Sequence, residues 1–88
     1  MNNQSENSWE ILSKVKNPFL GILKCLYEIK FTEKKELTNK QKDLAFRCLN
    51  IVSNDEKIDN EIRAWCCNQL GLIYSDKSSF IKLEHETH

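Results

Sequence analysis

The chain has 88 residues, 30% charged and 40% hydrophobic, with 13 basic and 13 acidic side chains and a formal net charge of zero. That length holds one modest core and excludes a second, so residues 1–88 read as a single small domain, and bulky side chains along its whole length exclude a disordered chain. The charge balance excludes a global field that would gather nucleic acid or anionic lipid, although residues 1–53 carry +3 and residues 54–88 carry −3.

Residues 1–6, MNNQSE, offer nothing to bury and are expected to be mobile, as are residues 85–88. A first helix is expected over 7–16, with Asn7 capping and Glu10 reaching back in a capping box. Trp9, Ile11, Leu12 and Val15 form its short apolar face, and Trp9 is placed as a lid. Asn17–Pro18 then breaks that helix and starts the next, Asn17 as N-cap and Pro18 at the first position, where a missing N–H costs nothing.

The segment 18–31, PFLGILKCLYEIKF, is apolar around some two thirds of a helix, leaving Gly21, Lys24 and Glu28 as a narrow polar stripe. Such a helix needs neighbours on at least two flanks, which predicts the central place in the fold. At about 1.5 Å per residue it spans only about 21 Å of a hydrocarbon core roughly 30 Å thick, so a membrane span is rejected. The run TEKKE that follows reads as a solvated connector.

Thr38 with Gln41 three residues on predicts a second capping box and a helix over 39–53, with Leu44, Ala45, Cys48, Leu49, Ile51 and Val52 on its apolar face. Phe46 falls beyond the edge of that stripe and is a candidate partner contact. After the helix-ending Ser53–Asn54, an acidic turn with Asp55, Glu56, Asp59 and Glu61 opens a helix expected over 57–75. Its apolar face is Ile58, Ile62, Trp65, Cys66, Leu70, Leu72 and Ile73.

Two features break the plain amphipathic pattern of that helix. Gln69 projects near the centre of the apolar face, where its amide needs a hydrogen-bond partner or costs about 1–3 kcal/mol. On the opposite side Ala64, Cys67 and Gly71 recur at i, i+3, i+7, small residues that let another backbone come close. A weak fifth helix over 79–86 would lay Phe80, Ile81 or Leu83 into that groove. The alternatives are a partner helix entering it or a face left to solvent.

No catalytic arrangement stands out. The only histidines, His85 and His88, lie in the last four residues, and the only glycines, Gly21 and Gly71, sit inside helical patterns rather than phosphate-binding loops. Cys25, Cys48, Cys66 and Cys67 lack the converging pair spacing of a zinc site, so no cofactor and no metal are expected. Polar residues 1–8 resemble no secretory leader, and a reduced, cytoplasmic location is the expectation. Lys30, Lys34, Lys35, Lys40, Lys42 and Arg47 form a local basic excess, but Glu33, Glu36 and Asp43 interrupt it, which disfavours nucleic acid.

Ala64–Trp65 followed by Leu70–Gly71–Leu72–Ile73–Tyr74 resembles the first helix of a tetratricopeptide repeat, with Trp65 five positions before Leu70 where the family places it three before. The match covers about ten residues, without the 34-residue period or the closing proline. The resemblance implies a helical-hairpin scaffold that binds peptides or protein segments, its glycine allowing close helix packing.

The sequence therefore predicts an all-α, compact or orthogonal bundle of four main helices with a short fifth at the C-terminus. It predicts a small protein-interaction module, an adaptor, inhibitor or immunity-type binder, docking through Phe46, the Ala64/Cys67/Gly71 groove and the Phe80–Ile81–Leu83 tail. Self-association through the same surfaces is the nearest variant. A DNA-binding regulator and a thiol or metal sensor are the competing classes.

Overall fold

A computed structural model describes residues 16–75 and 77–83. The helix expected over 7–16 lies outside them except for Lys16, which is not helical. Three helices follow in order: α1 (Pro18–Phe31), α2 (Asn39–Ser53) and α3 (Asn60–Tyr74), with no strand among the described residues. The fold is all-α.

Each of the first two starts is made by the side chains the sequence marked. Asn17 Oδ1 accepts from the backbone N–H of Phe19 at 2.8 Å and of Leu20 at 3.2 Å, with Pro18 in the first turn. Thr38 Oγ1 accepts from Gln41 N at 3.1 Å while Gln41 Oε1 accepts from Thr38 N at 2.9 Å, a reciprocal box. The start of α3 is later than expected. Asp55 Oδ1 accepts from Lys57 N at 2.9 Å and Asp55 O accepts from Ile58 N at 3.0 Å, so 55–58 closes a turn that delays the helix to Asn60.

The central helix is α2, not α1. It packs against both of the others, whereas α1 and α3 do not approach each other at the backbone. On α2, Ala45, Cys48, Leu49 and Val52 are buried, and on α1 the buried set is confined to Leu20, Leu23, Leu26 and Tyr27. Ile22 and Ile29 are partly covered and Cys25 is exposed, so the broad apolar sweep of α1 is wrapped on one side by the described residues. Leu44 and Ile51, expected in the core, stand 40% and 44% exposed on the flank of α2.

The connector between α1 and α2 is solvated except at Leu37, which is 5% exposed and belongs to the core. Lys34 adopts φ 56°, the left-handed region, as the chain leaves α1. That reversal brings Lys35 N back to Ile29 O at 3.0 Å, after Thr32 N and Glu33 N have both bonded Glu28 O.

The expected fifth helix is also corrected, since residues 77–83 are not helical. After α3 the chain doubles back, Lys77 N donating to Leu72 O at 2.9 Å, and Phe80 and Ile81 enter the core at 3% and 0% exposure. Ser79 Oγ accepts from Ile81 N and donates to Ile81 O. A side chain that holds both backbone groups of Ile81 competes directly with a helical turn there.

Two variants test this account by urea and thermal melts. Leu49→Ala, at the fully buried centre of α2, is expected to cost about 2–5 kcal/mol. Lys34→Gly, which relieves the left-handed residue, is expected to gain about 0.5–1 kcal/mol, a rise in Tm of a few degrees.

Candidate functional site

Position along α3 sorts its side chains into three strips, and the candidate residues fall on two of them. The strip facing the core carries Ile62, Cys66, Leu70 and Ile73. One flank, at Trp65 and Gln69, turns toward α1. The outward strip runs through Ala64, Cys67, Gly71 and Tyr74, spaced i, i+3, i+7 and i+10, all of them exposed.

On the inner flank four rings meet. Tyr27 and Phe31 of α1 lie 4.6 Å apart between centroids, Tyr27 lies 6.3 Å from Trp65, and Phe80 of the tail lies 5.3 Å from Tyr27 and 5.9 Å from Trp65. Phe80 and Trp65 are nearly parallel at 25°. Gln69, one turn beyond Trp65, accepts the Phe80 N–H on its Oε1 at 3.3 Å. The amide flagged in the sequence thus has a partner, the backbone of the tail rather than a neighbouring helix, and Gln69 is partly rather than fully buried. Phe80 and Ile81 are interior side chains, and Leu83 packs at the margin of the core.

The outward strip holds no such filling. A Cβ built on Gly71 would meet nothing within 4 Å, so the tail does not occupy the Ala64/Cys67/Gly71 stripe and no close backbone approach is made there among the described residues. At its end Tyr74 is 70% exposed and receives Phe46 of α2 edge-on, ring centroids 5.9 Å apart and planes at 85°. Phe46 is thereby partly buried between helices, and Tyr74 is more exposed than Phe31, the other exposed aromatic among the described residues.

Electrostatics give no convergent site. Lys30 pairs with Glu36 at 3.4 Å, Lys35 with Glu33 at 3.7 Å and Arg47 with Asp43 at 3.0 Å, so the carboxylates interleaved with the local basic excess pair with members of it. Among the described residues no three His, Cys, Asp or Glu side chains are grouped to hold a metal ion, and no helix is long and apolar enough to cross a membrane. His85 and His88 lie outside the described residues.

The thiols divide by burial: Cys25 and Cys67 are exposed, Cys48 and Cys66 are buried where α2 meets α3. Burial raises the Cys48 thiol, and it pushes Cys66 from 9.0 up to about 12, with the neighbouring Cys67 and Cys48 adding to the shift. A thiol with so high a pKa is a poor nucleophile, and these two serve as small core side chains.

Leu37 and the ring cluster are what sequence reasoning missed. Leu37 carried a signal, an apolar residue directly before the Thr38 cap, a position that fixes chain entry into a helix. The cluster carried none, because its members come from three separate segments.

The thiol burial has a pH consequence. The unfolded Cys66 loses its proton near the ordinary 9.0 while the folded one keeps it to about 12, so its contribution is complete below that window and declines as pH rises through it. Urea midpoints measured from pH 8 to 11 are expected to fall, and to fall less steeply for Cys66→Ala.

Compared with protein-family models, curated proteins and solved structures, the chain matches none, and the functional reading rests on its own residues.

Proposed function

We propose that this chain is a small protein-interaction module rather than an enzyme, docking the outward strip of α3 onto another protein in the cytoplasm. The observation that carries this is Tyr74, 70% exposed and braced edge-on by Phe46, at the end of a strip whose Gly71 has open space above it among the described residues. An exposed ring that is held by a second ring loses little side-chain entropy on binding, which is what an interface anchor requires. Ala64, Cys67 and Gly71 beside it make a shallow surface for a partner helix. Adaptor, inhibitor and immunity-type roles share this chemistry. The tetratricopeptide-like run of Ala64–Trp65 and Leu70–Tyr74 supports the same class, since it implies binding of protein segments.

The DNA-binding reading draws less support, because Lys30, Lys35 and Arg47 already pair with carboxylates. A thiol sensor would have to work through Cys25 or Cys67, the exposed pair.

The test is capture of partners from native lysate by wild type, Gly71→Leu and Tyr74→Ser. With nothing among the described residues within 4 Å of a Cβ at residue 71, Gly71→Leu is expected to raise helix stability by about 1 kcal/mol while blocking the strip. The expected outcome is a folded, more stable variant that has lost the partner. Retention of every partner by both variants refutes the surface, and capture that collapses steeply with added salt points to nucleic acid.

A further inference from the structure

The apolar sweep of α1 is covered toward α2 and the tail and left open elsewhere among the described residues. Ile22, Cys25 and Ile29 recur at i, i+3 and i+7, with Cys25 exposed and the two isoleucines partly covered. On α2 the open apolar pair is Leu44 and Ile51, also seven residues apart and both exposed. Ring contacts orient the two strips. Tyr27 marks the side of α1 that meets α3 and the tail, and Phe46 marks the side of α2 that meets α3. At about 100° per residue, Ile22, Cys25 and Ile29 stand about 140–160° round α1 from Tyr27, and Leu44 and Ile51 stand about as far round α2 from Phe46. Because α1 packs directly on α2, the two strips border one groove on the side of that pair away from α3.

We propose that this groove is the seat of the chain's own residues 9–15, with Trp9, Leu12 and Val15 as the side chains that fill it. The groove shares no residue with the outward strip of α3, so the proposal goes beyond the docking surface described above. Where the chain enters the described structure favours this occupant. Residues 1–15 precede Lys16, which stands immediately before α1, so they join the structure at one end of the groove. Asn17 is extended, φ −150° and ψ 130°, ahead of Pro18, so the chain before it leaves the axis of α1 rather than prolonging it. The lengths also agree. Ile22 to Ile29 rises about 10 Å along α1, and Trp9 to Val15, as the helix their spacing predicts, rises about 9 Å. The short connector 32–38 sets α2 antiparallel to α1, which places Val15 at the Ile22 and Ile51 end and Trp9 at the Ile29 and Leu44 end. Covering those side chains removes apolar area from water on both partners, which is the driving force.

Cys25 lies in the groove and Cys67 on the outward strip of α3, so one thiol reagent reads the seat against an internal control. In the full chain, N-ethylmaleimide is expected to modify Cys25 about tenfold or more slowly in the wild type than in Leu12→Asp with Val15→Asp, while Cys67 reacts equally in both. Equal Cys25 rates in the two proteins, with helical circular dichroism kept by the double variant, overturn the proposal. So does protection of Cys25 that fades on dilution alongside a dimer in sedimentation, which assigns the groove to a second copy. Should the double variant unfold, the unmodified chain gives the answer by nuclear magnetic resonance. Overhauser contacts from the Trp9 indole to the methyl groups of Ile29 and Leu44 are expected, and their absence overturns the proposal. Neither readout involves Gly71 or Tyr74, so failure here leaves the partner-binding reading of the outward strip standing.

Discussion

The structure depends on how the gap between its two outer helices is filled. Each of α1 and α3 packs on α2, but neither reaches the other at the backbone, so the apolar flanks of both face a wedge that water would otherwise enter. Rings close it. Tyr27 from one side, Trp65 from the other and Phe80 between them form a continuous contact across three segments distant in the chain. Burying an aromatic side chain removes a large apolar area from water, and the offset and tilted arrangements seen here add to that. A domain this small has little surplus stability, which makes one such cluster a sizeable part of it.

Polar groups are placed so that closing the wedge leaves no orphan. Gln69 stands on the flank where the tail arrives and takes its N–H, and among the described residues no buried side-chain nitrogen or oxygen lacks a partner. Deeper in, the core uses neutral thiols at Cys48 and Cys66 rather than hydroxyls or charges, and burial keeps them protonated. Charged side chains stay at the periphery, where the pairs Lys30–Glu36, Lys35–Glu33 and Arg47–Asp43 are solvent-exposed on at least one side and add little to stability.

One helix therefore serves three purposes by position alone. The core strip of α3 holds the fold, the flank at Trp65 and Gln69 receives the tail, and the outward strip ending at Tyr74 is left to solvent. Side chains project from a helix at fixed angular steps, so these uses are separable by substitution. The outward strip and the wedge lie on different sides of the same helix and share no residue.

Local chemistry wrote much of this plainly in the sequence. Asn17–Pro18 and the Thr38–Gln41 box place the starts of α1 and α2 because cap and backbone lie within three residues of each other, and the bounds 18–31 and 39–53 follow from them. The apolar spacing of α3 and the need of Gln69 for a partner were equally legible. What only the tertiary structure decided is which helix is central, which way the tail runs and which apolar residues stay outside. Periodicity reports how much of a helix is apolar but not how many neighbours arrive to cover it, so α1 read as the centre while α2 took that place. Leu44, Ile51 and Tyr74 are exposed, and Phe80 and Ile81 buried without a helix, because burial is set by contacts between segments far apart in the chain.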